Sequence, residues 1–183
     1  MFDSFVQFIL DMHYLGFFFY MILVGTFIPL PTQLILLPAG FLASQGELDI
    51  PTIILVTALG TTLGATINYS LAQHISKKFI SQDKLFKIKK FFTKYGKLSV
   101  ALAPLTFGLG QYISLPAGMA KMDLRWFIPL IFTSNALWNF AMLMIGYTFG
   151  EHGTSQVTFL ITAIALLIIA LISSFIYKEF KSY

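Results

Sequence analysis

The sequence predicts an all-α membrane protein that crosses the bilayer several times and contains two inverted repeats. Three observations lead to this prediction: the composition, the distribution of charge, and an eight-residue motif that occurs twice. Of the 183 residues, 57% are hydrophobic and 11% are charged, whereas soluble domains average about 25% charged residues. So little polar surface does not cover a water-soluble globule, and the composition therefore indicates a bilayer as the solvent.

Five stretches of the chain lack Asp, Glu, Lys and Arg. They are residues 12–46, 50–76, 98–120, 126–150 and 152–177. Each is long enough to reach across a hydrocarbon core, which needs about 20 helical residues. We predict a single membrane domain over residues 1–183. In order, it has repeat one (about 14–76), a basic amphipathic cytoplasmic segment (77–97), repeat two (about 98–150) and a C-terminal transmembrane helix (152–177).

The first and third stretches are rich in proline and glycine. Pro29, Pro31 and Pro38 lie in the first, and Pro104 and Pro116 lie in the third. Proline removes an amide donor and clashes with the preceding turn, so several prolines together break a helix. Broken backbone is tolerated at membrane depth only inside protein or beside water. We therefore predict that each repeat is a re-entrant helical hairpin followed by one transmembrane helix.

The positions of the cations support re-entry of the third stretch. Eight of the twelve Lys and Arg residues fall between Lys77 and Lys97. If residues 98–120 enter and leave on one side, Lys121 and Arg125 stay beside this basic segment, and all twelve cations share the cytoplasmic face. We predict a multi-pass protein of the inner (cytoplasmic) membrane, with the basic segment and the C-terminus in the cytoplasm. The side of the N-terminus stays open.

The two predicted hairpins share a motif. Gln33-Leu-Ile-Leu-Leu-Pro-Ala-Gly40 recurs as Gln111-Tyr-Ile-Ser-Leu-Pro-Ala-Gly118, with six identities in eight positions. In the helices that follow, Ala65-Thr-Ile-Asn68-Tyr69 is echoed by Ala136-Leu-Trp-Asn139-Phe140. The hairpins have opposite orientations, as in secondary transporters whose broken segments meet near the midplane and form the substrate site. The alternative is that the repeated Pro-Ala-Gly only allows tight helix packing.

Short motifs in a fixed order carry a family resemblance. They are Pro29-Leu-Pro31-Thr-Gln33, Gly60 to Tyr69, Lys94-Tyr95-Gly96 and Pro116 to Met122. Over roughly residues 14–150 the sequence resembles the DedA family, also called VTT-domain or SNARE-associated membrane proteins. The resemblance implies a lipid transporter or scramblase. For bacterial members it implies a link to the recycling of undecaprenyl phosphate and to envelope integrity that depends on the proton motive force.

The sequence departs from the family pattern at two places. The first hairpin of the family typically reads Pro-x-Pro-x-Glu, and Gln33 occupies the carboxylate position here. The second hairpin typically carries arginines before Pro-Ala-Gly, and residues 104–111 contain none. The coupling to protons that the family implies is therefore not predicted for this chain, and neither the transported lipid nor the direction of transport follows from the sequence.

Polar side chains in the apolar segments are the candidate substrate-binding residues. An amide buried without partners costs several kcal/mol, so Gln33 and Gln111 are predicted either to line the pathway and donate to a head-group oxygen or to satisfy carbonyls that the prolines free. Asn68 and Asn139 lie on the long helices, where hydrogen bonding between helices is the alternative to substrate binding.

Backbone amides and surface cations complete the candidate site. Gly108 and Gly110 offer amides that hold an anion at a broken helix end. Lys121 and Arg125 lie at the mouth of the second hairpin, where they either contact a head group or extend to the membrane surface as anchors.

Enzyme and metal chemistry find no support in the sequence. There is no Cys, the three His residues are far apart in sequence, and no catalytic or phosphate-cradling motif occurs. We therefore predict no catalytic residue, metal or cofactor, and no nucleic-acid partner, because the positive charge is local. The predicted function is flippase or scramblase movement of an anionic lipid, such as undecaprenyl phosphate or a phospholipid. A transporter of a small solute or ion, a noncatalytic scaffold and a homo-oligomer stay open as alternatives.

Overall fold

The computed structural model describes residues 12–26, 28, 30–79, 81–105 and 110–152. The described residues form six α-helices and two short 3-10 helices and contain no strand, which confirms the predicted all-α fold class. Two predictions fall wholly or largely on other residues. The C-terminal helix at 152–177 lies outside the described residues except for its first position, and so does Gly108.

The first hairpin consists of helices α1 (His13–Gly25) and α2 (Gln33–Ser44). Each is about 20 Å long or slightly less, so neither crosses a hydrocarbon core of about 30 Å alone. The hydroxyl of Tyr20 donates a 2.9 Å hydrogen bond to the carbonyl of Pro31, which ties the connection back to α1. Pro38, grouped above with the helix-breaking residues, lies inside α2, so the break is confined to the segment around Pro31.

Two long helices, α3 (Ile50–Phe79) and α6 (Leu124–His152), form the centre of the structure. By length and apolar composition, Ile50–His74 and Leu124–Gly150 are long enough to cross a membrane. The Asp49 carboxylate precedes α3 and accepts hydrogen bonds from the hydroxyl and the amide of Thr52, which lower the pKa of this carboxyl. This cap explains where α3 begins.

The outer face of α3 is apolar and exposed. Its large side chains recur every four residues: Leu55, Leu59, Leu63, Ile67 and Leu71. A soluble monomer rarely exposes a continuous apolar surface of this length. Together with the two long apolar helices, this surface supports a location in the membrane.

The second hairpin consists of α4 (Gln82–Leu102) and α5 (Ser114–Ala120), joined through the 3-10 helices Ala103–Leu105 and Gly110–Ile113. The predicted boundary between the basic segment and repeat two lies between residues 97 and 98. In the structure α4 runs without a break through this position, because its buried residues keep helical spacing from Leu85 to Val100. The hairpin ends at Lys121, whose φ of 56° terminates α5.

The two hairpins have their open ends at opposite ends of α3 and α6. The Asp49 amide donates to the Tyr14 hydroxyl at 3.0 Å, so the first hairpin starts where α3 begins. The other end of that hairpin, at Ser44, is in contact with Gly150 near the end of α6. In contrast, the hydroxyl of Tyr69, on the second half of α3, bonds to the carbonyl of Met122 at the open end of the second hairpin.

The second helix of each hairpin packs along the long helix of the other half. On α2, a Cβ added at Gly40 would lie 2.1 Å from the carbonyl oxygen of Leu143 on α6. On α5, a Cβ added at Gly118 would lie 2.2 Å from the carbonyl oxygen of Tyr69 on α3. Both glycines occupy the last position of the repeated motif, and both are needed for the close approach of two backbones.

Candidate functional site

A cavity of about 300 Å³ lies where the tips of the two hairpins meet. The first hairpin contributes the end of α1 and the segment from Leu30 to Gln33, and the second contributes both 3-10 helices. The long helices close the remaining sides. The polar side chains that line the cavity are those of Thr32, Gln33, Thr61, Gln111, Tyr112 and Asn135.

Gln33 and Gln111 lie at this cavity together, as the repeated motif predicted. Gln33 is the first residue of α2, and Gln111 is the second residue of the 3-10 helix Gly110–Ile113. Both are half-buried. The hydroxyl of Thr32 is 3.4 Å from Oε1 of Gln33, a long separation for a hydrogen bond between these atoms. Binding of a substrate by either glutamine stays a prediction.

Gly110 lines the same cavity, and its lack of a side chain has a clear structural reason. A Cβ at this position would lie 1.9 Å from the carbonyl oxygen of Ala103. The two 3-10 helices therefore approach each other at a glycine, which leaves the backbone of the hairpin tip beside the cavity. Its predicted companion Gly108 lies outside the described residues.

Asn68 and Asn139 do not line the cavity but lie behind its wall. Both are buried. Nδ2 of Asn68 donates to the carbonyl of Gly25 on α1 at 3.3 Å, and Nδ2 of Asn139 donates to Oγ1 of Thr57 on α3 at 3.0 Å. Each amide therefore joins two helices. Within the described part of the chain, Oδ1 of Asn68 has no hydrogen-bond partner.

Lys121 and Arg125 lie on the surface at the open end of the second hairpin. Both are exposed, and neither is among the described residues that line the cavity. The backbone amide of Arg125 donates to Oδ1 of Asp123 at 2.9 Å, in the turn that starts α6. The two cations are therefore placed to meet a head group only outside the cavity.

Four of the polar lining residues were not predicted from the sequence: Thr32, Thr61, Tyr112 and Asn135. Of these, Thr61 and Asn135 lie on the long helices. Each lies one helical turn from a residue of the buried Thr57–Asn139 pair, on the side of the cavity. Nδ2 of Asn135 donates to the carbonyl of Ile131 at 2.7 Å, and the hydroxyl of Thr61 donates to the carbonyl of Thr57 at 2.9 Å. The sequence contains a signal for these two positions, because polar side chains within apolar membrane spans are often functional.

Most of the residues that line the cavity are apolar, and the polar side chains among them are uncharged. No Asp, Glu, Lys, Arg or His is among the described residues that line it. Nor does the described part of the chain contain a group of three or more His, Cys, Asp or Glu that could hold a metal ion. What the cavity offers is amide and hydroxyl donors, which bind anionic oxygens without exchanging a proton.

Comparison of the sequence with known proteins identifies a family that matches this chain. The VTT domain family matches residues 30–148, which is more than half of the chain. The chain is similar to Undecaprenyl phosphate transporter A of Staphylococcus aureus, with 26% identity covering 84% of this chain and 87% of that protein. It is also similar to the uncharacterized membrane protein YbfM of Bacillus subtilis, with 26% identity covering 79% and 94%.

A third relative carries a different name. An alkaline phosphatase-like protein of Lactococcus lactis is 28% identical, over 76% of this chain and 72% of that protein. No solved structure matches the chain.

Proposed function

We propose that this chain, which belongs to the VTT-domain (DedA) family, moves an anionic lipid across the membrane through the cavity between its two hairpins. One observation carries the proposal: Gln33 and Gln111, equivalent positions of the repeated motif, line the same cavity. The relative named Undecaprenyl phosphate transporter A supports a polyprenyl phosphate as the lipid. A phospholipid is the second choice within the same chemistry.

The proposal treats both hairpins as re-entrant and the two halves as an inverted repeat. Re-entry of the first hairpin is supported by its two helices, which are too short to cross the core alone. The open ends of the two hairpins, at opposite ends of α3 and α6, support re-entry of both. The packing of α2 on α6 and of α5 on α3, each at the last glycine of the motif, supports the repeat. We propose that the cavity then lies near the midplane of the membrane, where transporters of inverted-repeat design bind their substrates.

The polar groups of the cavity are suited to transient binding of a phosphate during transport rather than to tight binding. Side-chain amides of Gln33 and Gln111 donate to phosphate oxygens, and a hydrogen bond to a charged group contributes about 1.5–3 kcal/mol. The backbone at Gly110 supplies a further donor, and we propose the same role for the backbone of Gly108. An uncharged cavity does not hold the phosphate as an ion pair, and the apolar chain of the lipid remains in the bilayer during the movement.

The other predicted residues have supporting roles in this proposal. Asn68 and Asn139 hold α1 and α6 against α3 and so keep the cavity walls in place. Lys121 and Arg125 attract the head group at the cytoplasmic surface before it reaches the cavity. The protein is then a noncatalytic carrier in the inner membrane, with its basic end in the cytoplasm.

Phosphatase chemistry, which the name of the Lactococcus lactis relative suggests, is not proposed for this chain. Phosphatases of the two-metal type hold their ions with carboxylates and imidazoles. Among the described residues at the cavity there is neither a carboxylate nor an imidazole. The cavity therefore fits binding of a phosphate better than its hydrolysis.

Proteoliposomes that contain a radiolabelled polyprenyl phosphate test the proposal. A phosphatase added outside hydrolyses only the lipid in the outer leaflet, so protein-free vesicles release only that share of the label. With the protein present, we expect the lipid of the inner leaflet to reach the outer leaflet and release its label as well. Release that stops at the same share with and without protein would contradict lipid movement. Uptake of a small solute in the same vesicles would then favour a solute transporter, and the absence of both activities would favour a scaffold.

A further inference from the structure

Helix α4 has a packed face that holds it against the rest of the protein. The residues on this face are buried or half-buried and recur at helical spacing: Leu85, Ile88, Phe92, Gly96 and Val100. Of these, Val100 belongs to the buried core around Tyr69 and Phe127, and Phe92 packs against that core. This face fixes the rotation of α4 about its axis and thereby decides which residues face outward.

The opposite face of α4 is basic. Lys87, Lys90, Lys94 and Lys97 follow one another at intervals of three, four and three residues, so they share one face, and all four are exposed. Asp83 is the only acid in the helix. Two of the lysines lie over aromatic rings: Nζ of Lys97 is 3.4 Å from the ring centroid of Trp126 on α6, and Nζ of Lys94 is 4.9 Å from that of Tyr95.

An apolar flank borders this basic face. Tyr95, Leu98 and Leu102 follow one another along one side of α4, and Leu98 is 58% exposed. We expect the lysine-bearing part of such a helix to lie in the boundary between head groups and acyl chains. Each lysine near an anionic membrane surface contributes about 1 kcal/mol of attraction.

We propose that the basic face of α4, formed by Lys87, Lys90, Lys94 and Lys97, binds the anionic head groups of resident phospholipids at the membrane surface. This surface is separate from the cavity, because none of the four lysines lines it. The occupant is the lipid surface itself rather than the transported molecule or a free phosphate. Charge complementarity and the adjoining apolar flank together favour a bilayer surface over a soluble anion, because a soluble anion does not contact the exposed apolar side chains.

The binding surface is connected to the cavity by one rigid element. Helix α4 continues without a break from Lys87 to Leu102, and the next two residues, Ala103 and Pro104, line the cavity. A head-group contact that seats the basic part of α4 on the membrane therefore also sets the position of this wall. This second step rests on the proposed function, whereas the lipid contact does not.

The lipid contact is tested with the full chain in nanodiscs, using a fluorophore on a cysteine in place of Phe86, which is 68% exposed. Spin-labelled phosphatidylglycerol and spin-labelled phosphatidylcholine are compared as quenchers. We expect phosphatidylglycerol to be enriched over phosphatidylcholine near position 86 by about fivefold or more, which is the factor expected from the attraction of a single lysine. Salt at about 1 M should remove the excess, because it shortens the screening length to about 3 Å. A fluorophore at Leu137, exposed on α6, should show no preference.

The decisive variants replace Lys87, Lys90 and Lys94 together. With Gln at all three positions the preference at position 86 should fall several-fold towards that at position 137, with Lys97 left in place, and with Arg at all three positions it should remain. Equal quenching by both lipids in the unchanged protein, or an unchanged preference in the Gln variant, would overturn the proposal.

The link to the cavity has its own readout. Phosphatidylglycerol added to the proteoliposomes should speed lipid movement in the Arg variant but not in the Gln variant. Equal responses in the two variants would overturn the link alone. If the lipid preference is present but no lipid moves in any vesicle, the proposed function fails and the surface of α4 stands.

Discussion

Nδ2 of Asn139 donates a 3.0 Å hydrogen bond to Oγ1 of Thr57, which joins the two long helices at a site closed to solvent. The Thr57 hydroxyl in turn donates to the carbonyl of Ile53 at 2.6 Å. One turn away on each helix, Thr61 and Asn135 line the cavity. The bond therefore fixes the separation of α3 and α6 at the point where the cavity ends.

We expect Asn139→Leu and Thr57→Val each to destabilise the fold. Hydrogen bonds between membrane helices contribute about 0.6 kcal/mol on average, with about 1.7 kcal/mol as the upper value measured. A double-mutant cycle on Asn139 and Thr57, measured by unfolding in mixed micelles, should give a coupling energy in this range.

The matched control for that cycle is Thr66→Val. The Thr66 hydroxyl bonds only to the carbonyl of Thr62 within the same helix, so its coupling to Asn139 should be close to zero. Equal coupling energies for Thr57 and Thr66 would show that the hydrogen bond between the helices carries no specific energy.

Gly40→Ala and Gly118→Ala should each destabilise the protein. The added methyl group would lie 2.1 Å from a backbone oxygen at Gly40 and 2.2 Å from one at Gly118, and overpacking of this kind costs about 1–3 kcal/mol. Gly96→Ala is the comparison, because the three atoms nearest to its methyl group would belong to the side chain of Phe92 on the same helix. Unfolding midpoints should fall for the first two variants and change less for the third, since a side chain yields more readily than backbone and alanine favours a helix. Three equal shifts would contradict the packing of α2 on α6 and of α5 on α3.

Single cysteines test the side of the membrane on which each hairpin opens, in a chain that has no native cysteine. Cysteines at Gln82 and Met122 should react only with a reagent added on the cytoplasmic side, because both flank the hairpin beside the cations. A cysteine at Glu47, at the open end of the first hairpin, should react only from the outside. Labelling of position 122 from outside would contradict re-entry of the second hairpin.

Much of the architecture follows from short-range signals in the sequence. The two long helices are visible as uncharged apolar stretches, and the break near Pro31 is visible because proline cannot donate to the preceding turn. Gln33 and Gln111, which line one cavity, occupy equivalent positions of a motif that the sequence repeats. These features depend on local chemistry or on a repeated motif, and both can be read from one sequence.

Other features depend on which surfaces meet in three dimensions, and the sequence does not reveal them. Pro38 is the sixth of the twelve residues of α2, and the helix continues past it because α2 packs closely along α6 there. The charged part of α4 and its apolar part form one helix, since a packed face runs along both. Asn68 and Asn139 point at neighbouring helices rather than at the cavity, which their polarity alone does not distinguish.

Lipid movement should be insensitive to an imposed pH gradient. The described lining residues include no side chain that titrates as a proton carrier, and residues 12–46 and 98–120 contain no Asp or Glu. Proton-driven transport needs such a group in the pathway. The phosphatase-accessible fraction, followed over time with the gradient in either direction, measures the effect. Acceleration in one direction would reveal a proton carrier, with His13 and His74 to be replaced first.

Gln33→Glu should introduce the pH dependence that the unchanged protein lacks. This substitution restores the residue that the family typically carries at the position, and it places a titrating carboxyl at the cavity. We expect slower movement of an anionic lipid at high pH, where two negative charges repel, and recovery as the carboxyl is protonated. A rate that is flat across the pH range would show that position 33 is remote from the phosphate.

The central claim, that Gln33 and Gln111 bind the lipid head group in one cavity, is tested most directly by the transport rate per folded molecule of Gln33→Leu and Gln111→Leu. Leucine keeps most of the bulk and removes the donor and the acceptor. Gln45→Leu, an exposed position at the far end of the first hairpin, is the matched control. We predict that each of the two cavity variants loses about tenfold or more in rate, as expected for one lost hydrogen bond to a charged group, with folded yield and control rate unchanged. Normal rates per folded molecule in both variants would contradict the claim.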